Sequence, residues 1–231
     1  MRNFAVLALV AGSIAAITPF ASIADNKHDN DHQKAHSERV KYKPLKVALW
    51  GDEFYSADTA EKTVQIDQTI HSMNKRDLDF TLFAGDTKNG SSECSDQAIG
   101  QDVIDIFNSL KVPTLYTLGD NEWTDCHRTN NGSYDPLERL DYLRATFFSK
   151  NKTQGKHPLS VERQGELGKA YSENSRFSKS NVEFVALHVP GSNNNLVVTA
   201  KQCTSKSTRD QIACNAAQLS TRHVTYKILP G

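Results

Sequence analysis

The sequence predicts an α/β fold with a largely parallel β-sheet flanked by helices. Three short apolar runs, at residues 45–50, 80–84 and 114–118, indicate buried strands. Segments with apolar residues at helical spacing lie between them. Because strands that alternate with helices usually form right-handed βαβ units, we expect one largely parallel sheet.

Three helices are predicted by their apolar stripes and their boundaries. The first covers residues 60–74 with Asp58 as its candidate N-cap, and the second ends before Pro113. The third begins at Asp135-Pro136, a capping residue followed by proline at the first helical position. The stripes are Ile66, Ile70 and Met73; Ile99, Val103, Ile106, Phe107 and Leu110; and Leu140, Leu143 and Phe147.

The pattern becomes weaker towards the end of the chain. A polar loop over residues 149–160 precedes two more predicted strands, 170–177 and 182–189, which form a candidate hairpin. A short strand at 196–199 and a helix at 209–219 are the remaining signals. We therefore expect a second sheet that is incomplete.

Residues 1–24 have the layout of a secretory signal peptide. One basic residue, Arg2, precedes an apolar run, and small residues precede an acidic one at the candidate cleavage site. We expect export, to the periplasm or out of the cell, and no stable membrane insertion after cleavage; the alternative is a retained membrane anchor. The remainder divides into a linker, residues 25–44, and one domain, residues 45–231.

The linker is rich in Asp, Asn, Lys and His and has too few apolar residues to bury a core, so we expect it to be disordered. His28, His32 and His36 recur every four residues, which on a helix would align them to hold a transition metal loosely. The alternatives are a solvated tether and an exported metal-scavenging protein that uses these histidines.

The charge balance gives no reason to expect nucleic acid or an anionic membrane as a partner. Without residues 1–24 the chain has 26 basic and 27 acidic side chains. A near-neutral protein has no bulk electrostatic attraction to nucleic acid or to an anionic membrane. The sequence does not indicate the number of subunits.

Four cysteines follow the predicted signal segment, and an even number in an exported protein suggests two disulfides. We favour Cys94 with Cys126 and Cys203 with Cys214, because the first two each follow a strand end on the same predicted face. Zinc ligation is the alternative, although no CxxC pair occurs.

Three predicted strands end in or close to Gly-Asp, which puts Asp52, Asp86 and Asp120 at strand ends, and His188 follows a later strand. In open α/β sheets, sites form beyond the carboxyl ends of the strands. Carboxylates with one imidazole are ligands for Mn, Fe, Zn or Mg, and a pair of such metals suits displacement at phosphorus. The alternative is that these aspartates are ordinary turn residues.

The ordered set Asp52, Gly85-Asp86, Gly119-Asp-Asn-Glu122 and His188 resembles the calcineurin-like metallophosphoesterases, whose pattern is D-x-H, G-D, G-N-H-[DE], a later His and G-H-x-H. Together with His188-Val-Pro-Gly-Ser-Asn-Asn194, the set is similar to an exported bacterial branch of that superfamily, over about residues 45–195. The resemblance implies a layered sandwich of mixed β-sheets flanked by helices, and hydrolysis of a phosphomonoester or phosphodiester by metal-activated water. The substrate would be a phosphorylated small molecule or envelope component.

The resemblance also implies a role for each matching residue. Asp52 corresponds to a ligand of the first of two divalent metals and Asp86 to the bridging aspartate. Asp120 replaces the asparagine that ligates the second metal, and His188 corresponds to another ligand of that metal. An aspartate oxygen can ligate as an asparagine oxygen does, so that replacement keeps a ligand.

Two departures from the family pattern concern catalysis. Phe54 stands where a metal-binding histidine is expected, which weakens the first metal site unless Glu53 substitutes. Asn121 stands at the place of the histidine that assists the leaving group, and an amide does not donate a proton near neutral pH. His127 is the candidate to take over the acid role.

A third departure is the missing terminal motif. No Gly-His-x-His occurs, and the only histidine after His188 is His223. We expect a truncated, frame-shifted or reduced member, which a longer downstream reading frame carrying the motif would support. The alternative function is a catalytically impaired protein that binds a phosphorylated envelope ligand.

Overall fold

The computed structural model describes residues 44–52 and 59–195 as a mixed α/β protein with a parallel sheet, an antiparallel sheet and helices. The three strands predicted from apolar runs are β1 (Val47–Trp50), β2 (Phe80–Phe83) and β3 (Thr114–Tyr116). They form one parallel sheet in the order β1-β2-β3, so the predicted βαβ arrangement is confirmed.

Three α-helices lie in the described part: α1 (Thr59–Asn74), α2 (Asp102–Ser109) and α3 (Pro136–Phe147). A π-helical turn, Gln97–Gln101, leads into α2. The predicted cap of α3 is confirmed, because Asp135 Oδ1 accepts hydrogen bonds from the main-chain N–H groups of Leu137 at 2.8 Å and Glu138 at 3.3 Å. The candidate cap Asp58 lies outside the described residues.

The second sheet is antiparallel and consists of β4 (Glu162–Arg163), β5 (Ser175–Lys179) and β6 (Val182–Ala186). The predicted hairpin is β5–β6, and its turn residues Ser180 and Asn181 have φ angles of 51° and 63°, as a two-residue hairpin turn requires. The prediction that a strand begins at residue 170 was wrong. Residues 170–174 form turns, with Tyr171 at φ 72°, and the strand begins only at Ser175.

The parallel sheet is the middle layer of the described part. One face packs against the three α-helices, and the other packs against the antiparallel sheet. The helical side includes Trp50, Phe83, Phe107, Tyr116, Leu143 and Phe147. The opposite side includes Phe80, Leu82, Leu115, Phe177, Phe184 and Ala186. Alternating residues of the same strands therefore build two separate cores.

The disulfide Cys94–Cys126 is confirmed, with the two Cα atoms 5.7 Å apart. It joins the loop after β2 to the turn after β3. The predicted signal segment, linker, strand at 196–199, helix at 209–219 and Cys203–Cys214 pair lie outside the described residues. Among the helices of the described part, none has the length and apolar character needed to cross a bilayer.

Candidate active site

Asp52, Asp86 and Asp120 follow the carboxyl ends of β1, β2 and β3, so they share one edge of the parallel sheet. We call this group the carboxylate edge. The first two lie in the left-handed region, at φ 55° and φ 60°, which residues with a Cβ seldom adopt. The Asp52 N–H donates to the Gly85 carbonyl at 3.1 Å, which ties the first strand end to the second.

Two glycines make room for these carboxylates. A Cβ at Gly119 would collide with Asp86 Oδ1 and the Asp86 main chain, and a Cβ at Gly191 would lie 2.6 Å from Asp120 Oδ2. The Asp86 Oδ1 also accepts a hydrogen bond from the Asn121 N–H at 3.2 Å. The carboxyl groups of Asp86 and Asp120 therefore pack closely against the backbone of glycine residues, where a side chain would not fit.

Asp120 is linked to a second carboxylate that the sequence did not single out. The Ser192 hydroxyl lies 2.7 Å from Asp120 Oδ2 and 3.1 Å from Asp125 Oδ1, so its one proton is shared between two acids. Arg128 pairs with Asp125 at 2.7 Å. Burial raises the pKa of Asp125 against the pull of the Arg128 guanidinium, and the Asp120 carboxylate adds to the rise.

A buried lysine lies beneath the carboxylate edge. Lys88 is 3% exposed, and its Nζ donates to the carbonyls of Asn89 and Asn121, each at 2.9 Å. Burial lowers the pKa of Lys88 to about 8, although the carboxylates of Glu122, Asp125 and Asp86 act in the opposite direction. The Lys88 amino group therefore lies close to several carboxylates of the carboxylate edge.

Glu122 fixes the turn after β3. Its side chain is fully buried, and Oε1 accepts from the Tyr116 hydroxyl at 3.1 Å and from the Gly119 N–H at 3.3 Å. Burial raises the pKa values of both Glu122 and Tyr116. The buried Glu122 side chain thus helps to hold the turn that carries Asp120 and Asn121.

His188 is held by protein groups at both ring nitrogens. Nε2 accepts from the Trp123 indole N–H at 3.1 Å, and Nδ1 lies 3.3 Å from Glu173 Oε1. The ring is 1% exposed, and the His188 N–H donates to Asn174 Oδ1 at 2.8 Å. Metal ligation through Nε2 would require loss of the bond from Trp123.

His127 lies in a 3₁₀ turn, Thr124–His127, that follows Asn121. Its Nδ1 hydrogen-bonds the Thr124 carbonyl at 2.6 Å, within the same turn. Its charge acts on Asp125, where it favours the ionised carboxylate. The contact found for the His127 ring thus lies within its own turn, and the Asn121 main chain is hydrogen-bonded to Asp86 and Lys88.

The predicted metal ligands fit a cation in part. Asp52, Asp86 and Asp120 supply oxygen donors on one edge, and Gly119 and Gly191 leave space for two of them. His188 does not fit, because its nitrogens are already engaged. Across residues 44–52 and 59–195, no three His, Cys, Asp or Glu side chains are grouped closely enough to hold a metal ion.

No protein-family model, curated protein or solved structure matches this chain. The resemblance to metallophosphoesterases therefore depends on the ordered sequence motifs alone.

Sequence reasoning missed Lys88, Asp125 and Ser192. Their positions in the sequence carried a signal, since Lys88 is two residues after Asp86 and Asp125 is five residues after Asp120. Ser192 follows Gly191, which lies against Asp120. Residues this close to a strand-end aspartate share its side of the sheet edge.

Proposed function

We propose that the chain is an exported phosphoesterase that hydrolyses a phosphomonoester or phosphodiester with a divalent cation as cofactor, on a scaffold of the calcineurin-like metallophosphoesterase type. The Cys94–Cys126 disulfide supports the export, because such bonds persist in oxidising compartments. The proposed substrate is a phosphorylated small molecule or envelope component.

One observation carries the proposal: three aspartates follow adjacent parallel strands, and two of them have left-handed backbone. Such strain costs about 1 kcal/mol or more per residue and is concentrated at functional sites. Ordinary turn residues would not need three acids together on one edge. A cation would neutralise carboxylates on this edge, which gives their shared position at the strand ends a chemical reason.

Asp52, Asp86 and Asp120 are the residues that would hold the cation, with Mn, Fe, Zn or Mg as candidates. When bound, a divalent cation supplies a water of lowered pKa and neutralises phosphate charge. The sequence predicted two metals, and the engagement of His188 with Trp123 and Glu173 removes the one imidazole proposed for the second.

Asn121 determines which substrates can react. Its amide can donate a hydrogen bond to a leaving oxygen but cannot transfer a proton near neutral pH. Turnover therefore depends on a leaving group that departs as an anion. We expect aryl phosphates to be hydrolysed faster than alkyl phosphates of similar size.

The alternative function is a non-catalytic protein of the same scaffold that binds a phosphorylated envelope ligand. The engagement of His188 and the amide at Asn121 favour it, because both remove groups that catalysis would use. A phosphate would still need a cation at this edge, since the aspartates alone repel it.

The test compares metal-dependent hydrolysis of an aryl phosphate and a bis-aryl phosphate by the parent and by Asp86→Asn. We expect the parent loaded with Mn²⁺ or Zn²⁺ to turn over, and Asp86→Asn to lose at least about 100-fold, because the central oxygen ligand becomes a neutral amide. Initial rates at several metal concentrations provide the measurement.

The matched control is Asp105→Asn, which removes an exposed carboxylate on α2 and should retain the parent rate. Absence of metal-dependent turnover, or equal rates for the two variants, would rule out the enzymatic proposal. Metal binding by a parent without turnover would favour the binding protein.

A further inference from the structure

Four buried side chains form one continuous series of hydrogen bonds, which we call the buried network. Arg144 donates from Nε and Nη2 to the two carboxylate oxygens of Glu173, at 2.9 Å and 2.7 Å. Glu173 Oε1 lies 3.3 Å from His188 Nδ1, and the Trp123 indole N–H donates to His188 Nε2 at 3.1 Å. None of the four residues is more than 7% exposed. The proposed hydrolysis gives this network no role.

The partners of His188 determine where its ring proton lies. An indole N–H can only donate, so Nε2 must accept and carries a lone pair. The proton of a neutral imidazole then lies on Nδ1, which faces the accepting carboxylate of Glu173. A doubly protonated ring would direct a second N–H at the indole of Trp123. The contacts are therefore satisfied only by a neutral His188 with its proton on Nδ1.

The buried network joins four segments that lie apart in the sequence. Arg144 belongs to α3, and Glu173 belongs to the turns before β5. His188 follows β6, and Trp123 lies in the turn after β3. The indole of Trp123 is thus connected, through His188, to a bidentate ion pair with the helical layer.

Trp123 and Asp120 belong to the same turn. The main-chain N–H groups of Trp123 and Asp125 both donate to the Asp120 carbonyl, at 3.3 Å and 3.2 Å, and the Thr124 hydroxyl donates to it at 2.9 Å. Because Trp123 is 2% exposed, water does not replace His188 as the acceptor for its indole N–H. The position of this turn therefore depends on His188.

We infer that His188 is a positioning residue rather than a metal ligand: a neutral imidazole, protonated at Nδ1 towards Glu173, that anchors Trp123 and with it the turn that carries Asp120. The catalytic importance of that turn rests on the proposed function. The tautomer of His188 and its bond to Trp123 are properties of the chain without metal or substrate.

The first measurement is the tautomer of His188 in the metal-free full chain, by NMR correlation of ring protons with ring nitrogens in protein whose histidines carry ¹⁵N. We expect the proton on Nδ1 and a lone pair on Nε2, at a ring assigned by its absence from the spectrum of His188→Asn. His71, an exposed histidine on α1, is the internal control and should not be restricted to that tautomer. A proton on Nε2 of His188 would overturn the inference.

The second measurement is a double-mutant cycle in urea unfolding. His188→Gln places an amide oxygen near the position of Nε2 and can still accept from the indole, whereas the shorter side chain of His188→Asn cannot reach it. Trp123→Phe should be coupled to His188→Asn by at least about fivefold in the equilibrium constant of unfolding, and more weakly to His188→Gln. The matched control is Trp50→Phe, at another buried indole, whose N–H donates to Thr81 Oγ1 at 3.2 Å; it should show no coupling to His188→Asn.

The third measurement is hydrogen exchange of the Trp123 and Asp125 main-chain N–H groups, both of which donate to Asp120. In His188→Asn these should exchange at least about fivefold faster than in the parent, whereas the Ala84 N–H, bonded to the Trp50 carbonyl between β1 and β2, should change less. If His188→Asn does not fold, Trp123→Phe replaces it, because it removes the same hydrogen bond.

Absence of coupling between Trp123 and His188, or equal acceleration of exchange in the turn and at Ala84, would overturn the inference, because either result means that His188 does not specifically position the turn. A parent without metal-dependent turnover would contradict the proposed function only, since none of the three measurements uses metal or substrate.

Discussion

Asp52 and Asp86 both have left-handed backbone, a conformation that aspartate tolerates better than most residues with a Cβ. Glycine adopts φ angles of 55° and 60° without a Cβ clash, so a position that needed the turn alone would be served better by glycine. Gly51 and Gly85 precede these aspartates, and both strand ends therefore contain glycine already. The carboxylates at these two positions are consistent with the proposed cation site.

Glu173 makes stability depend on pH. Burial alone would raise its pKa, but hydrogen bonds from His188 and Arg144 and the charge of Arg144 lower it from 4.5 to about 2. A carboxylate with a depressed pKa in the folded state stabilises the fold above its unfolded pKa, and this contribution is lost as the pH falls. We expect about 3 kcal/mol of the free energy of unfolding to disappear between about pH 5 and pH 2.

Urea unfolding at a series of pH values, with Glu173→Gln beside the parent, measures this dependence. The variant should be less stable at pH 7, because Arg144 loses its buried partner, and its stability should vary less with pH below 5. Glu162→Gln, an exposed carboxylate paired with Arg176, is the control and should follow the parent. A Glu173→Gln curve parallel to that of the parent would contradict the assignment.

At the scale of elements, the edge is assembled by loops rather than by the strands themselves. The strands bring Asp52, Asp86 and Asp120 to one edge, but the loop after β2 and the turn after β3 determine how the side chains meet. Lys88 and the Cys94–Cys126 disulfide both connect these two segments. Two independent links explain how irregular segments can hold a defined geometry.

The disulfide gives a prediction at this scale. Cys94 and Cys126 are 32 residues apart, and a cross-link over such a loop stabilises a fold by about 3 to 4 kcal/mol, chiefly by restricting the unfolded chain. We expect the double variant Cys94→Ala/Cys126→Ala to lose roughly this amount in urea unfolding. Reductant should move the parent towards the variant, and equal urea midpoints under oxidising conditions would show that the cross-link adds no stability.

At the scale of the molecule, the antiparallel sheet is held to the parallel sheet by aromatic side chains. The Phe80 ring meets those of Phe177 and Phe184 edge-on, with centroids 5.2 Å and 4.8 Å away, and Phe177 stacks on Phe184 at 5.1 Å. His188 and Ser192 follow β6 in the chain, so the aromatic contact between the sheets also positions these two residues of the candidate site.

Removal of one ring tests this coupling between the layers. Phe184→Ala should lower the free energy of unfolding by about 3 to 5 kcal/mol through lost burial and a residual cavity. Leu167→Ala, at a side chain that is 41% exposed, should change it by less than about 0.5 kcal/mol. Similar urea midpoints for the two variants would mean that the sheets do not depend on the aromatic contact.

Structural features that depend on local sequence patterns could be predicted from the sequence. The strand ends, the cap at Asp135, the stripe of α3 and the pairing of Cys94 with Cys126 depend on periodicity, turn chemistry and adjacent strands, which a sequence displays. β4 was missed because two residues carry no alternation, and the start of β5 was misplaced because Tyr171 turns the chain. These errors arise where tertiary contacts outweigh local propensity.

The sequence by itself determined that three aspartates follow three parallel strands, because apolar runs, helical stripes and Gly-Asp turns are local patterns. Only the tertiary structure decided what surrounds those aspartates. It buries Lys88 beneath them, joins Asp125 to Asp120 through Ser192 and engages His188 with Trp123 and Glu173. The contacts of Ser192 and of His188 with Trp123 connect residues 65 or more positions apart, and that of His188 with Glu173 connects residues 15 positions apart. The burial of Lys88 follows from the packing of all layers together.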